Sequence, residues 1–433
     1  MRYASERSPK RCGFIQPRYE SIHLRISICR CAAGACDALF GEAAVKIKWM
    51  AIAVLAGVGG TAHAQSSVTL YGIINQALTW SSNQGGHSAV QLTGNGEYGS
   101  RWGLKGVEDL GGGYRAIFTL ENGFNPVNGG LGQNNRMFGR QAFVGLSHPQ
   151  YGTLTFGRQY DAIVGTLQTM TSNGAWGGVM FSHPYDNDNT DDFLRVNNSV
   201  KYTSPNIHGF TGIAMYAFSN AAGDFANNRM WSLGGIYTNG PFAIAAAYSL
   251  YDRPGVNTTT TVNTSGAITC CDAPITSKRE QIAGIGASYV LGAAKFSVMY
   301  SNAIYNNVGT TLTSGINYRF NNYEANVRYT ISPTLLVGVA YTYTSNSITG
   351  GSQGPTQVHW HQVNLLVDEF ISKRTSVYAE LIWMRTGGGA FPRPTGGPIP
   401  ATPSGSPAAQ IETMLPSTSR NQTVVSIGIV HKF

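Results

Sequence analysis

The sequence predicts an all-β protein, a 16-stranded antiparallel transmembrane β-barrel. Three observations support this: the composition, the alternation of apolar and polar residues, and the alternation of short and long connections. The 433 residues include only 12% charged residues, beside 11% aromatic residues and 53 glycines. A soluble domain carries about 25% charged residues. The longest apolar run, residues 49–58, is half of the roughly 20 residues that a membrane-spanning helix needs. The composition therefore excludes a helical membrane protein and favours β-structure.

A secretory signal peptide is predicted at residues 45–64. Lys46 and Lys48 precede the apolar run, and the small-residue motif Ala-His-Ala at 62–64 is followed by Gln65. A basic start, a short apolar core and a small-residue cleavage motif are the three parts of a signal peptide. Nine of the 30 basic and four of the 22 acidic residues lie before Gln65. The remaining chain is thus only weakly positive and gives no indication of nucleic-acid binding.

Residues 1–44 precede this signal and contain Cys12, Cys29, Cys31 and Cys36. One interpretation is a metal-binding or targeting extension. Signal peptides act near the N-terminus, and this cysteine spacing is not typical of a zinc site. We therefore favour a translation start at Val45, with residues 1–44 a non-native upstream extension. Only two cysteines, at 270 and 271, follow the signal; a vicinal disulfide and loop residues without a role both remain open for them.

From residue 65 onward the chain alternates with period 2. In 323–331, Tyr, Ala, Val, Tyr and Ile alternate with Glu, Asn, Arg and Thr, and in 114–121 Tyr, Ala, Phe and Leu alternate with Arg, Ile, Thr and Glu. Alternation of this kind predicts strands with one apolar and one polar face. A soluble sandwich would show the same pattern, so the alternation alone does not identify a membrane barrel.

The connections distinguish the two folds. Tight turns are predicted near residues 110–113, 148–151, 205–209, 239–241, 332–334 and 372–374. Between them lie long polar segments at 81–95, 125–135, 161–194, 220–228, 252–278, 305–313, 345–355 and 387–419. Short turns on one side and long loops on the other are typical of outer-membrane barrels, which have even strand numbers. We count 16 strands, or 17 if 316–320 is separate from 323–331.

The C-terminal segment 425–433 alternates up to a terminal Phe433. A barrel in lipid must pair its last strand with its first, because an open sheet edge has no hydrogen-bond partners there. A strand at the C-terminus is therefore expected of a membrane barrel.

Several short motifs carry a resemblance to a known family. They are SVTLYG at 67–72, SRWGLKG at 100–106, RQAFVGL at 140–146, GTLTFGR at 152–158, KYTSP at 201–205 and the terminal Phe433. In this order, across 65–433, they are similar to motifs of the general trimeric porins of Gram-negative outer membranes. The resemblance implies a homotrimer in the outer membrane, a third loop folded into each barrel, and a passive channel for small hydrophilic solutes and ions without a cofactor or bound metal. It also implies that the barrel-assembly machinery reads Phe433, although His431 replaces the usual Tyr.

The longest connection, 161–194, is the candidate constriction loop. It contains four acidic residues and the tip sequence NGAWGG at 173–178. From the residues alone, such a loop could be an external flap or an internal plug; the resemblance implies an internal constriction. The tip carries Ala175 and Trp176 where many porins have a carboxylate. The predicted constriction residues of the loop are Trp176, Asp186, Asp188, Asp191 and Asp192.

On the barrel wall, Arg101, Arg140 and Arg195 match the arginines that face this loop in porins. In the strand alternation, each arginine is out of phase with its apolar neighbours. A charged side chain on the lipid face costs about 2–4 kcal/mol at mid-membrane. This phase therefore predicts a position in the lumen for each arginine. Arg158 is a weaker candidate, as are Lys105 and Lys201. The arginines could brace the acidic loop, or they could form a transverse field that selects ions; with an uncharged tip, the second interpretation predicts a mild anion preference.

Two other classes of function were considered. A barrel hydrolase is disfavoured because the nine histidines form no recognisable catalytic spacing, and the protein is predicted not to be an enzyme. A substrate-specific outer-membrane channel, or a barrel protein whose outer surface binds partners, remains the alternative to a general diffusion channel.

Overall fold

The computed structural model describes residues 66–94, 96–255, 266–268, 275–309, 313–350, 355–389, 400, 402–403 and 405–433. The predicted upstream extension, the signal peptide, Cys270 and Cys271 lie outside the described residues.

Among the described residues, antiparallel strands form one closed sheet, and consecutive strands pair with each other except for β2 and β3, which both pair with β1. The strands are β1 (Ser67–Gln84), β2 (His87–Gly94), β3 (Arg101–Gly111), β4 (Tyr114–Gly123), β5 (Gln141–His148), β6 (Gly152–Gln159), β7 (Val196–Thr203), β8 (Phe210–Ala217), β9 (Arg229–Asn239), β10 (Phe242–Asp252), β11 (Arg279–Leu291), β12 (Ala294–Asn306), β13 (Asn317–Thr330), β14 (Leu335–Thr349), β15 (Thr356–Phe370), β16 (Thr375–Gly388) and β17 (Asn421–Lys432).

The barrel has 16 strand positions, because β2 and β3 share one of them. The upper part of β1 pairs with β2, its lower part pairs with β3, and β3 continues to β4. The predicted fold class is therefore confirmed. The alternative break between 316–320 and 323–331 is wrong: β13 is continuous from Asn317 to Thr330 and pairs along its length with β12 and β14.

Strand β17 closes the barrel against β1. The pairing runs from Ile73 opposite Lys432 to Ser81 opposite Val424. It continues to the terminus, where the amide of Phe433 donates to the Gly72 carbonyl at 3.0 Å and the Gly72 amide donates back at 3.1 Å. A Cβ on Gly72 would lie 2.3 Å from the Phe433 ring. The missing side chain at residue 72 thus provides the space in which the terminal ring packs.

Short turns and longer connections alternate around the barrel as predicted, with one exception. The segment 81–95, predicted as a long loop, is instead a hairpin: β1 extends to Gln84, Gly85 and Gly86 form the turn with φ of 63° and 105°, and β2 follows. The polar side chains of this segment suggested a loop. Its main chain nevertheless pairs across the two strands, and polar residues are compatible with a sheet that rises above the apolar belt.

The outer surface of the barrel has an apolar belt bordered by aromatic rings. Trp231, Tyr300, Tyr323 and Tyr341 are exposed near the long-loop end, and a second set lies near the short turns, consisting of Phe210, Tyr237, Phe242, Tyr289, Phe296 and Tyr329. Aromatic rings in two girdles mark the membrane interfaces of outer-membrane barrels. No helix among the described residues has the length and hydropathy to cross a membrane.

The helical elements are short, and nearly all belong to the connection between β6 and β7. They are Ala162–Thr166 and Ser172–Ala175, with 3-10 turns at Leu167–Met170, Val179–Phe181 and Pro184–Asp186. A further turn, Gly132–Asn135, has left-handed φ at Gln133 and Asn134. The buried apolar cluster contains residues of this connection, among them Leu167, Met170 and Phe181, together with residues of the strands, so this long connection fills part of the barrel.

We predict that a disulfide forms between cysteines placed at Thr79 and Ser426, in a chain whose native cysteines are replaced by serine. These residues are opposite each other across the β1–β17 seam, and their hydroxyl oxygens are 2.8 Å apart. Cysteines can be bridged when their Cβ atoms are about 3.5–4.5 Å apart. Peptide mass spectrometry of the oxidised, refolded protein should find the linked pair. The control pair Thr79→Cys with Val424→Cys is two residues out of register and should stay reduced; equal linking of both pairs would contradict the observed closure.

Candidate functional site

The connection between β6 and β7 enters the barrel because its first residue is fixed to the inner wall. Asp161 caps the helix Ala162–Thr166, accepting from the Val164 amide at 3.1 Å. Its other carboxylate oxygen accepts from Ser249 at 2.8 Å and from Tyr251 at 2.6 Å, both on β10. A buried carboxylate with several donors holds the chain in one direction. The inward position predicted for the third long loop is thereby confirmed.

A buried polar cluster fastens the middle of the loop to β13. His183 is fully buried, with Nδ1 at 2.8 Å from Asp188 and Nε2 at 3.0 Å from Glu324. Asn322 donates to Asp188 at 3.1 Å, and Ser301 also donates to it. The second Glu324 oxygen accepts from the Ser172 amide at 2.6 Å. Loop and wall are therefore joined through groups whose hydrogen-bonding capacity is largely satisfied.

The charges in this cluster stabilise one another. Burial alone would lower the pKa of His183, but the carboxylates of Asp188 and Glu324 outweigh burial and raise it to about 10. Burial likewise acts to raise the pKa of Asp188, and the His183 imidazolium reverses this effect and lowers it. His183 is thus a cation at neutral pH and the counter-ion of Asp188.

The loop tip also leans on the wall. Trp176 is 6% exposed, and its ring packs against Gly338 of β14. A Cβ on Gly338 would lie only 2.3 Å from this ring. Its indole nitrogen donates to Asn326 at 3.2 Å, and Phe181 packs edge-on at 5.5 Å. Trp176, predicted as a constriction residue, packs its ring on the wall, which holds the tip backbone in place, and the residue also lines the cavity inside the barrel.

Opposite the tip, two of the predicted arginines are bound to carboxylates. Arg140 pairs with Glu121 at 2.8 Å and with Asp192 of the loop at 3.1 Å. Arg195 pairs with the other oxygen of Asp192 at 2.5 Å. Both guanidinium groups lie within 6 Å of the Tyr160 ring centre. Burial acts to raise the pKa of Asp192, but these arginines outweigh burial and lower it, so Asp192 is ionised and bridges the pair.

Arg101 differs from these two. Its Nε donates to the Gly99 carbonyl at 2.9 Å, and no carboxylate of the described residues lies within ion-pair distance of it. Arg158, the weaker candidate, binds main-chain carbonyls of Gly139 and Arg195 and the side chain of Asn197, which makes it a brace between the loop ends. The other weak candidates, Lys105 and Lys201, approach a Tyr71 ring and the Tyr160 carbonyl, respectively.

The three wall arginines and the loop tip enclose a cavity of about 490 Å³. Its lining includes Arg101, Arg140 and Arg195 on one side and residues 173–179 of the tip on the other. The acidic residues at its border are Glu97, Asp191, Asp192 and Glu412. The structure therefore brings together the predicted arginines, Asp191 and Asp192 around a polar space inside the barrel.

Three of the four acidic residues at this border have raised pKa values. Burial and the adjacent Asp192 raise the pKa of Asp191, and burial raises that of Glu412. In the segment between β2 and β3, burial together with Asp368 and Glu380 raises the pKa of Glu97 to about 9. Asp192 is the one carboxylate of these four whose pKa is lowered.

The remaining predicted acidic residues do not reach the cavity. Asp186 accepts from the amides of Asp191 and Phe193 at 2.9 and 3.0 Å and so shapes the return of the loop. Burial, with Asp191 and Asp188 nearby, raises its pKa. Asp188 belongs to the His183 cluster. These two residues fix the loop and do not line the open space.

All three arginines line the cavity, but the phase with apolar neighbours accounts for this position only in Arg101. Arg101 lies on the lumen face of β3, as predicted. On β5, Val144 faces outward and Phe143 faces inward, so strand alternation would place Arg140 on the outer face with Val144. Arg140 nevertheless points inward, because it precedes the strand and does not follow its alternation. A bulge at Asn198, with φ of 53°, puts Val196 and Val200 on opposite faces, so the phase of Arg195 could not be derived from them.

Sequence reasoning missed several residues of the site. Glu121 and Glu324 lie on the polar faces of β4 and β13, where the alternation offered a signal that they face the lumen. His183, Tyr98 and Glu412 gave no comparable signal. Among the described residues, no group of three or more His, Cys, Asp and Glu side chains is arranged to hold a metal ion.

Comparison with known proteins adds to this geometry. A family model for Gram-negative porins matches residues 51–389. An outer membrane porin protein of Bordetella pertussis is 36% identical over 231 residues, which cover 47% of this chain and 59% of that protein. The outer membrane porin protein 32 of Delftia acidovorans is 28% identical over 401 residues, which cover 90% of this chain and 100% of that protein. The chain thus spans about three fifths of the Bordetella relative and all of the Delftia relative.

Solved structures agree in fold. The anion-selective porin from Comamonas acidovorans superposes with a TM-score of 0.64 at 23% identity, covering 85% of this chain and 100% of that chain. The trimer form of the outer membrane protein OmpT of Vibrio cholerae has a TM-score of 0.58 at 15% identity and covers 85% of this chain and 99% of that one. At these identities the similarity concerns the fold.

We predict that His183→Gln loosens the loop and lowers the thermal stability of the refolded barrel. The change leaves Asp188 and Glu324 without their shared cation, and removing one partner of a buried ion pair costs about 3–5 kcal/mol. The pKa of His183, about 10, lies above its ordinary value of 6.5. Its stabilising effect is therefore complete below about pH 6.5 and is lost as the pH rises through about 10.

Thermal unfolding followed by circular dichroism, at several pH values, measures both effects. The loss of stability of the unmodified protein between pH 7 and 10 should be smaller in the His183→Gln variant. His208→Gln, in an exposed short turn, is the matched control and should behave like the unmodified protein. If the two variants unfold alike, the His183 cluster does not hold the loop.

Proposed function

Because the chain belongs to the Gram-negative porin family, we propose that it is a passive diffusion channel for small hydrophilic solutes and ions across the outer membrane. Its localisation in the outer membrane follows from the same membership. Proteins of this family are channels and not enzymes. The alternative, a substrate-specific channel or a surface-binding barrel, finds less support in a lumen that holds a polar space between arginines and a glycine-rich tip.

We propose in addition that the channel prefers anions. The observation that carries this proposal is Arg101, a guanidinium at the constriction with no carboxylate of the described residues within ion-pair distance. Glu121 pairs with Arg140, and Asp192 bridges Arg140 and Arg195, so Arg101 is the one of these three arginines whose charge is not bound in an ion pair. The related structure from Comamonas acidovorans is described as an anion-selective porin, and this description is consistent with the proposal.

The size of the effect follows from elementary electrostatics. Two unit charges about 4 Å apart interact by about 1 kcal/mol in water and by about 4 kcal/mol at an effective dielectric of 20. A difference of 1.4 kcal/mol is a factor of ten in an equilibrium. One unpaired positive charge at the opening thus suffices for a several-fold preference for anions over cations. Cations can still pass at this preference.

We propose that the protein assembles as a homotrimer, in keeping with the trimer form of the Vibrio cholerae relative. We further propose that the barrel-assembly machinery reads the C-terminal strand that ends at Phe433. The Phe433 ring is 41% exposed and lies at the β1–β17 seam, where strand pairing completes the barrel.

We predict that Arg101→Ser moves the zero-current potential in a salt gradient toward cation selectivity. The variant removes the unpaired charge and breaks no ion pair, so the loop should keep its position. Planar-bilayer recording of the refolded protein measures the potential. Arg319→Ser removes an equal charge from the outer face of β13 and should leave the potential unchanged.

The same experiment separates selection from bracing. Arg140→Ser breaks the bonds to Glu121 and Asp192 and is expected to change conductance and current noise as well as selectivity. A zero-current potential that Arg101→Ser does not move would reject the proposed role of Arg101. A barrel that conducts no ions in any variant would reject the diffusion channel itself.

We predict that the mature protein begins at Gln65. The signal-peptide pattern at 45–64 places a small-residue motif directly before this residue, and residues 1–44 then form no part of the barrel. Mass spectrometry of the protein isolated from outer membranes identifies the N-terminus. A mature chain that retains any cysteine between 12 and 36 would overturn this boundary.

A further inference from the structure

A smaller cavity, of about 240 Å³, adjoins the loop tip on the side away from the wall arginines. Its lining includes Lys295 and Ser297 of β12 and Asn326 and Arg328 of β13. Residues 174–176 of the tip line both this cavity and the larger one at the constriction, so the tip separates the two. We call the smaller space the rear cavity.

The rear cavity faces the lumen near the periplasmic end of the barrel. On β13, Arg328 is in phase with Glu324 and Asn326, which bind the inward-folded loop. Lys295 is directly opposite Arg328 on β12 and therefore shares its face. The two basic residues are one and two positions from the short-turn ends of their strands, and the short turns of outer-membrane barrels are periplasmic. The cavity thus lies between the constriction and the periplasm.

The two cations of the rear cavity have no counter-ion among the described residues. Its lining contains no acidic residue. Lys295 donates to the Thr169 carbonyl at 3.3 Å, which uses one of the three donors of its ammonium group. Arg328 makes no hydrogen bond or ion pair with the described residues. Like charges directly opposite each other on neighbouring strands destabilise a sheet, and an anion between the two groups would relieve this repulsion.

A buried hydroxyl adds a neutral donor to this pair. Ser297 is 4% exposed, lines the rear cavity and makes no hydrogen bond with the described residues. It lies on the lumen face because it is in phase with Lys295 and opposite Asn326. Buried polar side chains usually have a hydrogen-bond partner. The hydroxyl is therefore a second observation, independent of the charges, that indicates a ligand in this space.

The set of donors identifies the chemical class of the ligand. A guanidinium group is a planar fork that matches two oxygens of a phosphate, and an ammonium group is a compact charge with donors that rotate. With the Ser297 hydroxyl, these groups can serve more than two oxygens of one ion, and two cations favour an ion with two negative charges. Chloride has one acceptor atom and one charge, and a carboxylate would use the fork alone. The match is therefore best for a divalent tetrahedral oxyanion.

We propose that Arg328, Lys295 and Ser297 form a binding site for a divalent tetrahedral oxyanion, with inorganic phosphate as the representative ligand. The inference rests on the proposed anion channel, because the anion reaches the site through the lumen. It adds a preference for divalent over monovalent anions, which the single charge of Arg101 does not provide. The site lies on the far side of the loop tip from Arg101, so an anion that has passed the constriction meets a second pair of positive charges before it leaves the barrel.

Isothermal titration calorimetry of the refolded full barrel in a neutral detergent tests this proposal. The probe is inorganic phosphate at mildly alkaline pH, where it is divalent, and the comparison is perchlorate, which has the same shape and one charge. We expect saturable binding of one phosphate per barrel and binding of perchlorate about tenfold weaker. No saturable phosphate binding, or equal affinity for both ions, overturns the proposal. Calorimetry needs no conduction, so a barrel that prefers anions but binds no phosphate rejects this site alone, and one that binds phosphate but conducts no ions rejects the channel alone.

Variants locate the site. Arg328→Gln breaks no bond between described residues and should weaken phosphate binding about tenfold, since it removes a charged donor pair. Arg115→Gln is the matched control: it removes an equal charge from the lumen face of β4, near the short-turn end and in phase with Glu121, and should leave the affinity within about twofold. An equal loss in both variants would show diffuse attraction of anions to a basic lumen and would overturn the proposal.

Two further variants complete the test. Lys295→Gln loses only the bond to the Thr169 carbonyl and should also weaken phosphate binding several-fold. An unchanged affinity in this variant would overturn the proposal even if Arg328→Gln does not refold. Phosphate binding that is lost in Arg101→Ser and kept in Arg328→Gln would place the anion at the constriction, and the rear cavity would then not be its site.

Discussion

The structure depends on one constraint: a sheet in hydrocarbon cannot leave main-chain hydrogen-bond groups unpaired. The chain meets this constraint by joining β17 to β1, from Ile73 opposite Lys432 up to Ser81, and by continuing the pairing to the terminal residue. The sharing of one strand position by β2 and β3 follows from the same requirement, because the wall next to β1 must stay paired where the strand is interrupted. Closure in turn creates an interior, and the long loop between β6 and β7 uses that interior.

The loop inside the barrel requires a second kind of balance. Its backbone and its acidic side chains leave bulk water, and each must find a partner. Asp161 receives donors from β10, His183 lies between Asp188 and Glu324, and Asp192 joins Arg140 to Arg195. The arginines therefore have different tasks, although the sequence presents them as a set. Two of them bind carboxylates that hold the loop, and the third, Arg101, forms no ion pair with the described residues.

The sequence predicted what depends on local periodicity. Alternation and connection length gave the strand number, the closure and the inward face of Arg101. In segment 81–95, polar residues predicted a loop where the main chain forms a hairpin. At Arg140 and near Arg195, strand alternation did not apply, because β5 begins after Arg140 and β7 bulges at Asn198. Pairings between distant residues, such as His183 with Glu324, 141 positions apart, depend on how the loop folds back and leave no local pattern.

The contact between Trp176 and Gly338 bears on how the width of such a channel changes. A single methyl group on Gly338 would occupy the space of the indole ring, and the tip would have to move away from the wall and into the opening. The width of the channel thus depends partly on Gly338, which lies behind the Trp176 ring. The size limit of the channel and its charge selectivity can then change independently. Substitutions of glycines between the loop and the wall would change the size limit, and substitutions of side chains that face the opening would change the selectivity.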